Sequence, residues 1–212
     1  MSKPEIQVVC FDLGGVLLRC VDGWHHACER AGLPMHESLI DPANRNTIVS
    51  ASNQMEIGAI TPQQFTEQIA AVSDYTAAEA MRVLECWLLD LYPGVEALLE
   101  RLLGAPITVA LLSNTNAAHW QIFEAEPCYA PVMRIPHLFA SHQVKARKPN
   151  AAIYEHVETA LGVEPQSILF FDDLEENING AVWQHWHTER IDPAKDTAPQ
   201  IEKHLARYGV TI

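Results

Sequence analysis

An α/β fold built on one parallel sheet is predicted by three features of this 212-residue chain. From Leu91 onward, short and continuously apolar runs alternate with helical segments in the rhythm of βα units. Polar residues stand where four of the apolar runs end, which is where open α/β sheets bind ligands. Between about Cys20 and Asp90 the alternation stops and several helical patterns follow one another with no convincing strand, as expected of an insertion.

The elements are read in order. Ile6 to Phe11 is apolar throughout and suits a buried central strand. Asp12 follows it at once, and Leu13-Gly14-Gly15-Val16 forms a tight turn whose glycines let the backbone close around whatever Asp12 touches. Within the insertion, Thr61-Pro62 marks a helix start with proline at the first helical position, and Thr76-Ala77-Ala78-Glu79 has the form of a capping box. Helices placed between the first and second strands would lie over the carboxyl edge of the sheet as a lid. Gly94 to Leu103 reads as a helix ended by Gly104, Ile107 to Leu112 as a buried strand, Ala117 to Glu124 as a helix and Leu138 to Ser141 as a short strand. Asn150 caps a helix with Ile153, Val157 and Leu161 on one face and Gly162 past its end. Ser167 to Phe171, a helix from about Glu175 to Gln184, a strand near Thr188 to Ile191 and a helix after Thr197 complete the series.

Composition narrows the partners. Lys and Arg total 14 against 27 Asp and Glu, a net charge of −13, which opposes attraction to nucleic acid or an anionic membrane surface. An anionic small molecule then requires a local cation, a metal ion or a helix amino terminus at its site. The 5 cysteines are widely spaced with no C-x-x-C pair, so neither a disulfide framework nor a zinc knuckle is expected. Met1 to Glu5 is polar and no apolar run is long enough to span a bilayer; a cytoplasmic, reduced protein is expected.

The four strand ends carry Asp12, Ser113-Asn114-Thr115, Lys148 and Asp172-Asp173. Each has a plain structural reading: Asp12 could cap a turn, Ser113-Asn114-Thr115 could cap a helix, and Lys148 could be solvated. Adjacent carboxylates after four apolar residues are harder to place without a cation, because they repel each other. On one edge of a parallel sheet, the set can run phosphoryl chemistry. An Asp nucleophile approaching a phosphate dianion needs a divalent metal and an ammonium to neutralise the charge. Asp12, Asp173 and a carbonyl of the turn are hard oxygen ligands of the kind Mg²⁺ prefers. Ser113 and nearby N–H groups can hold phosphoryl oxygens, Lys148 supplies positive charge, and turnover would pass through an aspartyl-phosphate.

Phe11-Asp12-Leu13-Gly14-Gly15-Val16, Leu112-Ser113-Asn114-Thr115-Asn116, Arg147-Lys148-Pro149 and Phe170-Phe171-Asp172-Asp173 with Asn177 resemble, in order, the four motifs of the haloacid dehalogenase superfamily. Within it, Arg147 to Tyr154 and Phe170 to Ala181 are most similar to bacterial sugar-phosphate phosphatases related to α-D-glucose-1-phosphatase. The resemblance implies a Rossmann-like, three-layer α/β/α core over 1–19 and 91–212 with a helical cap over 20–90. It implies Asp12 as nucleophile with Lys148 as catalytic partner, and Ser113, Asn114 and Lys148 as phosphate-binding residues. It also implies Asp12, the Gly14 carbonyl, Asp172 and Asp173 around Mg²⁺, with Asn177 in support. The substrate that the resemblance implies is a small phosphorylated metabolite such as a sugar phosphate.

One position departs from the pattern. Most phosphatases of the superfamily carry an acid–base Asp two residues after the nucleophile, and here that residue is Gly14. Loss of such a group slows turnover by roughly 10²–10⁴-fold, although the glucose-1-phosphatase-like group also carries Gly there. Two other readings stay open: a 2-haloacid dehalogenase in which Asp12 attacks carbon, and a phosphate-binding protein without turnover. The histidine pairs His25-His26 and His185-x-His187 lack a carboxylate at ligand spacing, and no zinc site is assigned to them.

Overall fold

The computed structural model describes residues 5–212. Its centre is a parallel sheet in the order β5-β4-β1-β6-β7, formed by β1 (Val8–Phe11), β4 (Thr108–Ser113), β5 (His137–Ala140), β6 (Ile168–Asp172) and β7 (His187–Arg190). Strand β1 is central because it is apolar on both faces. Val8 and Cys10 join Tyr154 and Phe170 in one buried cluster, whereas Val9 and Phe11 join Leu98, Leu99 and Phe171 in another. A strand that alternates between two cores must be covered on both sides, which gives the three layers.

Helices α5 (Val95–Gly104), α6 (Ala117–Ala125), α7 (Ala130–Met133) and α11 (Thr197–Tyr208) supply one face, while α9 (Ala151–Leu161) and α10 (Glu175–Trp183) supply the other. The short α8 (Ser141–Val144) follows β5 directly. The expected caps are present. Asn150 accepts from the Ala152 N–H, and Gly162 closes the helix in the left-handed conformation.

The insertion holds α1 (Trp24–Ala31), α2 (Pro42–Glu56), α3 (Pro62–Val72) and α4 (Ala77–Glu85) around a separate apolar cluster that includes Phe65, Ile69 and Val83. Thr61 and Thr76 each head a complete capping box. One sequence expectation fails here. The segment is not free of strands at its boundaries, because β2 (Leu18–Cys20) pairs antiparallel with β3 (Leu88–Leu91) where the chain leaves and returns. That two-stranded ribbon ties the insertion to the sheet across about 70 residues of intervening chain. Among the described residues, no helix is long and apolar enough to cross a membrane.

Leu99 is fully buried in the larger cluster. Its replacement in Leu99→Ala should cost about 2–5 kcal/mol of stability in urea unfolding. Val182→Ala, at a half-exposed position, should change stability by less than about 0.5 kcal/mol.

Candidate active site

Asp12 continues β1 by one residue, its N–H donating to the Phe171 carbonyl at 2.8 Å. The chain then reverses within Leu13 to Leu18: the Leu17 and Leu18 N–H groups donate to the Leu13 carbonyl, and the Gly15 N–H to the Leu18 carbonyl. Gly15 takes a φ of 77°, and a Cβ built there would lie 2.5 Å from Asp173 Oδ2. Only glycine serves both the turn and the close approach.

Lys148 lies before α9 and is fully buried. Its ammonium contacts Asp12 Oδ1 and Asp172 Oδ2, each at 2.7 Å, and stands 5.2 Å from the centre of the Phe170 ring. Lys148 is therefore not a solvated surface residue. Asp172 ends β6 with no exposure, and both its oxygens are occupied. Oδ1 accepts from the Leu174 N–H and from Asn177 Nδ2, while Oδ2 accepts from Lys148 and from the same Asn177 amide. Asn177 is held in turn by Tyr154, whose hydroxyl donates to its carbonyl at 2.8 Å.

The loop after β4 resolves differently from a simple cap. Asn116 is the cap of α6, its Oδ1 accepting from the Ala118 and His119 N–H groups, so Ser113, Asn114 and Thr115 lie outside the helix. Ser113 is buried at the strand end. Asn114 clasps the backbone of Lys148: its Nδ2 donates to the Lys148 carbonyl at 3.0 Å, and its Oδ1 accepts from the Lys148 N–H at 2.8 Å. Thr115 is clasped likewise by Ser141, which accepts from its N–H and donates to its carbonyl.

Carboxylate oxygens of Asp12, Asp172 and Asp173 lie within 4.8 Å of one another. Burial pushes the Asp12 carboxyl up to about 7; Lys148 opposes the shift and Asp172 adds to it. Asp173 is pushed up to about 6, first by burial and then by the charge of Asp172. Burial alone would lower Lys148, but attraction to Asp12 and Asp172 prevails and raises it. Three carboxylates against one ammonium leave excess negative charge, and a divalent cation among hard oxygen donors would offset it.

Above this edge lies a cavity of about 370 Å³, floored by Leu13, Gly14 and Ser113 to Asn116 and roofed by α2, α3 and α4. Arg147, beside Lys148, pairs with Glu56 of α2 at 2.7 Å, joining the roof to the sheet edge. A side chain at Gly14 would meet Cys20, because a Cβ there lies 3.1 Å from its Sγ. The ribbon thus places Cys20 beside the position that lacks the expected Asp. Sequence reading missed Cys20, Glu56 and the clasping role of Asn114, since each depends on a partner distant in the chain.

The family model for haloacid dehalogenase-like hydrolases matches residues 6–183. The chain belongs to this family. Among relatives of this hydrolase, Phosphatase MT3486 of Mycobacterium tuberculosis is 26% identical over 121 residues, 57% of this chain and 55% of that protein. The chain thus matches little more than half the length of that relative. The sesquiterpene phosphatase astK of Aspergillus oryzae is 25% identical over 187 residues, covering 81% of this chain and 82% of the relative. The family enzyme bt-2542 of Bacteroides thetaiotaomicron, solved with magnesium and inorganic phosphate, superposes with a TM-score of 0.73 at 25% identity, over 90% of this hydrolase and 96% of that chain.

Gly15→Ala should drive a methyl group into Asp173 while straining the turn. The expected result is a loss of activity of at least about 10²-fold, the order expected when a reacting geometry is displaced by about 1 Å. Circular dichroism should stay native.

Proposed function

We propose that this hydrolase is a Mg²⁺-dependent phosphomonoesterase of a small phosphorylated metabolite, with Asp12 as nucleophile and residues 20–90 as its cap. The observation that carries this reading is the buried Lys148 ammonium seated between Asp12 and Asp172, next to a third carboxylate. Phosphoryl transfer needs that combination of nucleophile, fixed cation and metal ligands. The phosphatase names of both relatives support it, as does the bound phosphate of the Bacteroides enzyme.

Asp12, Asp173 and the Gly14 carbonyl would hold the metal. Both oxygens of Asp172 are already engaged, so of the two places expected for it, on the metal directly or through water, it fits neither closely, and its proposed task is to hold Lys148. Asn177 supports the site through Asp172. When bound, Mg²⁺ offsets the charge of the carboxylates and the phosphoryl oxygens. Ser113 and the backbone N–H of Asn114 would bind those oxygens, the Asn114 side chain being committed to Lys148.

In the first step an Asp12 oxygen bonds to phosphorus as the P–O bond to the alcohol breaks. The departing alkoxide takes its proton from water, since Gly14 offers none. Water then attacks the aspartyl-phosphate, releasing inorganic phosphate and regenerating Asp12. A dehalogenase attacking neutral carbon has no use for the added carboxylates. The sugar-phosphate expectation finds little support in the cavity, whose walls are largely apolar.

The test is phosphate release from a panel of phosphomonoesters. Magnesium-dependent activity should be abolished by chelation and reduced by at least about 10³-fold in Asp12→Asn. Tight phosphate binding without turnover in the native protein would instead identify a binding protein.

A further inference from the structure

The cavity over Leu13, Gly14 and Ser113, next to the nucleophile in the chain, differs from what a sugar requires. Its roof and walls are formed by Trp24, Ile48, Met55, Phe65, Leu84 and Trp87. Trp24 and Trp87 meet edge to face at 5.5 Å, which makes a stiff aromatic wall. Four of the polar residues in the lining are committed elsewhere, which leaves the hydroxyls of Ser52, Ser113 and Thr115. Asn114 is clasped to Lys148, Asn116 caps α6, and Glu56 is paired with Arg147. His119 has both ring nitrogens engaged, one at 2.8 Å from the Leu84 carbonyl and the other at 3.2 Å from Asn116. Burial holds its imidazole below the ordinary value, so it is neutral near pH 7.

No Lys or Arg lines the cavity among the described residues. A second phosphate or a carboxylate on the substrate would meet no cation there. Sugar hydroxyls would lose water and gain few partners, a cost of roughly tenfold or more in binding for each unpaired group. A hydrocarbon would gain by burial against the same wall. At about 370 Å³, the space holds on the order of a dozen heavy atoms at roughly 30 Å³ each.

We propose that this cavity receives the apolar alcohol portion of the substrate, making phosphate monoesters of apolar alcohols, alkyl, prenyl or aromatic, the preferred class. The inference rests on the phosphomonoesterase reading and extends it to the leaving group. The phosphate would lie at the Asp12 edge while the hydrocarbon runs upward between α2 and α4. Val49, half exposed on α2, lines the same cavity.

Two series test it on the full chain with magnesium. In the first, phosphate release is measured from n-alkyl phosphates, ethyl through decyl, with glucose 6-phosphate as comparator. The value of kcat/KM should rise about fourfold per methylene until the cavity is filled. The sugar phosphate should lie at least roughly tenfold below the octyl ester. In the second, non-hydrolysable alkylphosphonates of the same lengths are bound and followed calorimetrically, and Kd should tighten with length in parallel. Val49→Asp, at a position that tolerates a polar residue, should flatten both series.

A flat series with the sugar phosphate equal or better overturns the assignment while leaving the phosphatase reading intact. Phosphonates that tighten with length, with no ester hydrolysed, uphold the cavity assignment and overturn the phosphatase reading. Failure of both series removes both.

Discussion

The whole site depends on burying one ammonium without leaving it alone. A Lys side chain with no exposure is tolerable only when its charge is matched at contact distance, because an isolated buried ion costs far more than the fold can supply. Asp12 and Asp172 match it from the ends of two adjacent strands. The contact constrains much else. Strands β1 and β6 must be neighbours in register, Asn114 must hold the Lys148 backbone, and Asn177 must orient Asp172. Three of the four motifs are thereby tied together through a single cation, and the fourth reaches it through the Asn114 clasp.

Sheet order supplies the rest. Strand β1 has β4 on one side and β6 on the other, so the chain changes direction at β1 and opens a crevice at its carboxyl end. Gly15 brings the turn against Asp173, and the β2–β3 ribbon at the turn's exit carries the chain into the helical layer. Chemistry and cover are thus coupled through a few residues after Asp12. The Glu56–Arg147 pair closes the arrangement from the other side, setting the roof next to Lys148.

Much of this was legible because its signals are local. Continuous apolar runs located four strands of the main sheet to within a residue or two, the βα alternation placed the polar β7, and the boxes at Thr61 and Thr76 announced their helices. The antiparallel ribbon was not legible. Leu18-Arg19-Cys20 is short, Leu88 to Leu91 contains Asp90, and neither has a strand pattern without its distant partner. The clasp of Asn114 was hidden for the same reason, its partner standing 34 residues away. Asn116 could have been chosen as the cap from sequence, but the polar run from Ser113 to Asn116 offered competing candidates. The apolar character of the cavity could not be read at all, because helix periodicity does not say which wall residues serve the core and which face the substrate.

A double-mutant cycle between Lys148 and Asp172, read by urea unfolding in the absence of metal and phosphate, tests the central constraint most directly. Lys148→Met leaves two carboxyls buried without their cation, Asp172→Asn leaves the ammonium with one partner, and the double variant relieves part of both defects. A coupling energy of about 2–3 kcal/mol is predicted. Additivity to within about 0.5 kcal/mol would show that the two side chains do not depend on each other, and would contradict the account of how this site is held together.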